Sequence, residues 1–140
     1  MPARTALLLI AHGSRRPEAN ADLEYLAEQL RQRGEYDILV PSYLELAEPN
    51  IETGGVRCVE LGASRVVMLP YFLSAGIHVR EDLTEVRDTL ATRFPHVEFR
   101  IAEPLGRHPL LTEVVELRAR ECLLGTECGT ISSESSSAIP

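Results

Sequence analysis

Residues 5–15 read TALLLIAHGSR, an unbroken apolar run from Ala6 to Ala11 that ends in His12 and Gly13. A strand with one wet face alternates apolar and polar side chains. This run does not alternate, so Thr5 to Ala11 reads as a central parallel strand buried on both faces. Parallel strands cannot be joined by tight hairpins, and a helical crossover must therefore follow each one.

The chain outward from this strand supplies them. Glu18 to Arg33 sets Ala19, Leu23, Leu26, Ala27 and Leu30 on one helical face, and Gly34 ends that helix. Tyr36 to Leu46 reads as a second strand. Pro49 then opens a segment whose Ile51, Val56, Val59 and Leu61 form an apolar stripe, although Gly54 and Gly55 each cost a helix about 1 kcal/mol; Gly62 closes it. Arg65 to Leu73 is the third strand and Val79 to Phe94 the third helix, with Leu83, Val86, Leu90 and Phe94 inward. Val97 to Ala102 and Pro109 to Leu124 complete the series as fourth strand and fourth helix. Four strands separated by helices specify an α/β three-layer sandwich around a four-stranded parallel sheet, with the flavodoxin-like order 2-1-3-4 as the common arrangement. Residues 1–124 read as one domain. The serine-rich stretch 125–140, GTECGTISSESSSAIP, lacks core-formers and is expected to be a disordered tail.

Composition excludes several functions. A net charge of -7 leaves no basic face for neutralising phosphates, so a nucleic-acid partner is not expected. All 14 basic residues are arginine, which excludes Schiff-base chemistry and a P-loop lysine. Cys58, Cys122 and Cys128 are an odd number without metal-type spacing. Neither a signal peptide nor a spanning apolar run is visible, and a cytoplasmic protein without a membrane partner is the expectation.

In open α/β sheets the ligand crevice lies beyond the carboxyl ends of the strands, where strand order reverses. His12 stands at that end of the first strand. Glu45, in Ser42-Tyr43-Leu44-Glu45-Leu46, stands at the end of the second, and His78, in Gly76-Ile77-His78, lies in the loop after the third. With order 2-1-3-4 the three strand tips lie about 5 Å apart, so two imidazoles and a carboxylate converge on one crevice. That donor set suits a divalent ion such as Co, Ni, Fe or Zn and leaves coordination positions open for a substrate. Taken singly, each residue has an ordinary reading. His12 can bond a backbone carbonyl, Glu45 can face solvent at a strand end, and His78 can cap the helix that follows it. His96 lies on the opposite edge of the sheet, and Arg107-His108-Pro109 reads first as a helix start. Other chemistries fit less well. A histidine phosphatase needs an arginine where Ala11 stands, Ser14 is not in a Gly-x-Ser-x-Gly turn, and no Gly-x-Gly-x-x-Gly follows the first strand.

Three stretches carry a resemblance: LLLIAHGSR followed by Asn20; YLELAEPNI with Glu45 and Pro49; and VVMLPYFLSAGIHVREDL with Gly76, His78 and Asp82. Together they resemble the sirohydrochlorin chelatases, the small class II chelatases of the cobalamin, siroheme and coenzyme F430 pathways. The likeness covers residues 5–124. It implies insertion of a divalent ion (Co2+ favoured, Ni2+ or Fe2+ as alternatives) into sirohydrochlorin, a tetrapyrrole bearing many carboxylates. The metal is then a substrate, and no permanently bound cofactor is implied. His12 and His78 match the metal-binding and catalytic histidines of the family, and Glu45 its acidic residue. Larger relatives hold two such domains, so the resemblance implies a homodimer enclosing the macrocycle. A flat macrocycle is also wide compared with a four-stranded sheet edge, which two facing copies would shield better than one.

Charge poses one difficulty, because an acidic chain must bind a polyanion. Arg15, Arg16 and Arg80 lie in or near the loops beside the triad and can pair with carboxylates, their ordinary reading being solvated loop arginines. Gly13, Ser14 and Gly76 can offer backbone N–H groups at helix starts. The alternative to a chelatase is a non-catalytic metal or tetrapyrrole carrier using the same triad.

Overall fold

A computed structural model of the chain describes residues 3–125. The strands are β1 (Thr5–Ala11), β2 (Ile38–Tyr43), β3 (Arg65–Pro70) and β4 (Glu98–Ile101), and the helices are α1 (Pro17–Arg33), α2 (Ile51–Glu60), α3 (Ile77–Arg93) and α4 (Pro109–Leu123). The strands form one sheet in the order β2-β1-β3-β4, parallel throughout. The unbroken apolar run is indeed the central strand, and its five consecutive residues Ala6 to Ile10 are buried.

Because successive strand residues point to opposite faces, β1 feeds two cores. Ala6, Leu8 and Ile10 join Ile38, Val40, Val66, Met68 and Phe99, and α2 and α3 cover this face through Ile51, Cys58, Leu83 and Leu90. Leu7 and Leu9 join Leu39 and Tyr43 beneath Leu23 and Ala27 of α1. The result is the three-layer sandwich. Each fully buried Leu or Ile contributes roughly 1.5–3 kcal/mol of transfer free energy, and β1 supplies such residues to both cores. The one buried polar side chain among the described residues, Ser42, donates its hydroxyl to the carbonyl of Leu9 at 2.9 Å, linking β2 to β1.

Local chemistry sets the helix ends. Gly34 terminates α1 with φ 76°, a left-handed conformation that glycine adopts without a Cβ penalty, and its N–H bonds the carbonyl of Arg31. Asn50 caps α2, its side-chain oxygen accepting from the Thr53 N–H at 2.8 Å. The chain divides into two compact units, Met1–Leu105 and Gly106–Pro140. The second contains α4, whose described residues are largely exposed and which His108 caps by accepting from the Leu110 N–H. The tail expected from residues 126–140 lies outside the described residues.

Three boundaries differ from the sequence reading in ways that bear on the site. Strand β2 stops at Tyr43 because its partner β1 stops at Ala11, which leaves Glu45 two residues beyond the ladder. Strand β3 ends at Pro70, and Tyr71 and Phe72 belong to the following loop. Helix α3 begins at Ile77, with Gly76 as its cap, so His78 lies in the first helical turn and not in the loop.

Candidate functional site

The β1–β2 connection runs to one side of β1 and β3 lies on the other, so the strand order reverses between β1 and β3. His12 is the first residue past β1 at this reversal. Its main chain is held towards β2: the Glu45 N–H donates to the His12 carbonyl at 3.1 Å, and the Leu44 N–H donates to that of Ala11 at 2.9 Å. Sheet-like bonding thus continues past the last ladder pair into the two loops. On the other side the Tyr71 N–H donates to the Ile10 carbonyl at 2.7 Å, and the His12 ring stacks on Phe72 with centroids 4.3 Å apart.

The loop after His12 is built for close approach. Gly13 has φ 95°, and a Cβ there would lie 1.9 Å from the Glu45 carbonyl oxygen, so only glycine lets the two loops meet. Asn20 of α1 then clamps the loop reciprocally. The Ser14 N–H donates to Asn20 Oδ1 at 3.0 Å, and Asn20 Nδ2 donates to the Ser14 carbonyl at 2.8 Å. Ser14 therefore spends its N–H inside the protein, and its hydroxyl oxygen accepts from the Arg16 N–H at 3.1 Å. The Tyr43 hydroxyl sits 3.4 Å from the Asn20 carbonyl and 3.5 Å from Glu24 Oε2. Burial, reinforced by the Glu24 carboxylate, pushes this phenol above its ordinary value and keeps it a neutral donor.

The remaining candidates are more open. Glu45 and Arg15 are exposed. The His78 side chain is 98% exposed, with Nδ1 3.8 Å from Glu81 Oε1, one turn further along α3. Gly76 caps α3 with nothing within 4 Å of a prospective Cβ, so space does not demand glycine there. Arg80 donates from Nε to the Ala75 carbonyl at 3.2 Å and lies 3.7 Å from Glu103. It lines a cleft of about 220 Å³ with Pro70, Leu83, Arg87 and Glu103.

The expected convergence of His12, Glu45 and His78 into a ligand set is not formed: among the described residues no three His, Cys, Asp or Glu side chains are grouped to hold a metal. The physical reason lies in the loops. Phe72 occupies the place beside the His12 ring, Glu45 approaches His12 through its backbone, and His78 is carried out on the first turn of α3. Phe72 and Tyr43 were not singled out in the sequence. The signal for Phe72 was an aromatic pair, Tyr71-Phe72, directly after an otherwise aliphatic strand.

Known proteins resemble this chain in sequence and fold. The sirohydrochlorin ferrochelatase of Arabidopsis thaliana chloroplasts is 38% identical over 121 residues, covering 86% of this chain and 54% of that protein. The sirohydrochlorin cobaltochelatase of Priestia megaterium is 35% identical over 121 residues, covering 86% of this chain and 39% of that protein. The chain thus spans about half or less of the length of these relatives. Among solved structures, the sirohydrochlorin chelatase SirB from Bacillus subtilis in complex with cobalt superposes with a TM-score of 0.77 at 29% identity, over 84% of this chain and 50% of that one. The CbiX family model matches residues 6–122, from the second residue of β1 nearly to the end of α4. With that match spanning most of its length, and the family's fold around His12, the chain belongs to the CbiX family.

Proposed function

We propose that this protein inserts a divalent metal ion, Co2+ first and Ni2+ or Fe2+ as alternatives, into sirohydrochlorin. The carrying observation is His12, a histidine of a CbiX chain fixed by its backbone at the sheet's reversal point with its ring presented at the carboxyl edge. Relatives named as ferro- and cobaltochelatases support the reaction and leave the ion open. Divalent ions of the first row share one affinity series, so supply in the cell would select among them.

Metalation requires the ion to shed waters and two pyrrole N–H protons to leave the macrocycle. Imidazoles have ordinary pKa values of about 6.5 and can bind an ion or accept a proton near neutrality. In this reading His12 and His78 divide those roles, and the Glu45 carboxylate helps to hold the ion. Arg15 and Arg80 pair with substrate carboxylates, Gly13, Ser14 and Gly76 line their path, and the macrocycle closes the ligand set that the free chain leaves open.

A homodimer is part of the proposal. The part of the chain that matches its ferrochelatase relative covers 54% of that protein, and a second copy would supply the facing wall for a flat substrate. A cytoplasmic location belongs to the same reading. No described helix is long and apolar enough to cross a membrane.

The test is anaerobic mixing of the protein with sirohydrochlorin and, separately, Co2+, Ni2+ and Fe2+, following the absorbance change of metalation. Acceleration lost in His12→Ala and His78→Ala is the expected result. Metal binding through the same residues without acceleration would make the protein a carrier, and no acceleration with any ion overturns the enzyme reading. Sedimentation equilibrium checks the dimer.

A further inference from the structure

His12 is oriented by a ring and not by a hydrogen bond. A histidine that serves a metal ordinarily donates its second N–H to a carboxylate or carbonyl, which fixes its plane and commits one nitrogen. Among the described residues the His12 ring stacks on one aromatic partner, Phe72, at 4.3 Å with 24° between the planes. Near-parallel rings at this distance attract one another while leaving the ring edge uncovered. Both nitrogens lie on that edge.

Phe72 is well placed to serve as a fixed plate. It is 6% exposed and belongs to the larger core, packed with Ile10, Met68 and Leu83. Its backbone is pinned on both sides: the Tyr71 N–H donates to the Ile10 carbonyl, and the Phe72 carbonyl accepts from the Leu105 N–H at 2.9 Å. Since the His12 carbonyl is simultaneously bonded to the Glu45 N–H, the histidine is gripped on its β2 side by main chain and on its β3 side by an aromatic face. Neither grip uses a ring nitrogen.

We propose that Phe72 is a positioning residue for His12, holding the imidazole plane at the β1/β3 reversal with both ring nitrogens open to substrate. The proposal deepens the chelatase reading and rests on it for its functional consequence. A leucine at this position would keep apolar volume but remove the plate, freeing the imidazole to swing about its side-chain torsions. The expected loss is in turnover, since orientation errors of about 1 Å can cost on the order of 100-fold.

The experiment combines NMR with kinetics on the full chain. In the wild type, ring-current shielding from Phe72 should place the carbon-bound ring protons of His12 upfield of those of His78, whose side chain faces solvent. In Phe72→Leu this offset should vanish, and kcat for metal insertion should fall by roughly 10- to 100-fold with KM for sirohydrochlorin held within about twofold. Phe72→Tyr, which restores a ring, should recover both the offset and kcat. Coincident His12 and His78 ring-proton shifts in the wild type would overturn the proposal, as would a folded Phe72→Leu with wild-type kcat. Should Phe72→Leu fail to fold, the wild-type spectrum and Phe72→Tyr still decide. A wild type that inserts no metal defeats the chelatase reading instead, and the proton shifts independently report whether the stack exists.

Discussion

Gly13 carries the tightest steric constraint beside His12, because a methyl group there would overlap the Glu45 carbonyl at a φ that side chains rarely adopt. Gly13→Ala should therefore cost roughly 2–4 kcal/mol, read as a lowered urea midpoint at unchanged slope. Cys58 offers a second test. Burial pushes its thiol from the usual 9.0 up to about 12, and the side chain is fully enclosed. In the native protein it should resist a thiol reagent that labels the exposed Cys122, and become reactive only in denaturant. The folded state favours the protonated thiol, so this contribution to stability is whole below pH 9.0 and is lost as pH climbs towards 12. Above pH 9.0 the unfolding free energy should fall more steeply with pH for the wild type than for Cys58→Ala, by up to on the order of 1 kcal/mol per pH unit, while below pH 9.0 the two should run parallel. The position of His12 was legible in the sequence because it ends an apolar run. The Phe72 stack was not, since it joins residues far apart in the chain through loops whose paths no local pattern specifies.

Among the elements, α2 is the helix expected after Pro49, formed in spite of its glycines. Gly54 and Gly55 counted against a helix, yet the helix runs through both. Tertiary packing decides: a Cβ on Gly54 would lie 2.8 Å from Leu8 Cδ1, and one on Gly55 would lie 2.5 Å from Leu90 Cδ1. The two glycines let α2 sit close to the sheet on one side and to α3 on the other. Gly54→Ala and Gly55→Ala, which would raise helix propensity by about 1 kcal/mol, should instead destabilise the fold by roughly 1–3 kcal/mol, measured by thermal or urea unfolding. Stabilisation by either would show that the neighbouring leucines move aside freely. Strand and helix order could be read from periodicity, whereas the starts of α3 and the ends of β2 and β3 could not. Those boundaries depend on partner strands and caps, and the placement of His78 and Glu45 depended on them.

For the whole molecule, the parallel sheet was legible in the alternation of strands and helices, its order matches the common arrangement assumed for such folds, and both cores are apolar without a contribution from His12, Glu45 or His78. Folding should therefore be independent of metal. A chelator is expected to leave the melting temperature and far-ultraviolet circular dichroism unchanged, whereas a divalent ion at about 100 times its dissociation constant should add roughly 2.7 kcal/mol. A melting temperature that collapses in chelator would show the ion to be structural. The sheet also orders events in time. Thr5 pairs with Arg65 and Ala6 with Ile38, so the most apolar strand leaves the ribosome well before either neighbour exists. At about 5–20 residues per second it waits several seconds, unpartnered, for β3 to emerge. Nascent chains stalled between β2 and β3 should thus be the form most prone to capture by chaperones, a vulnerability built into placing the first strand at the centre.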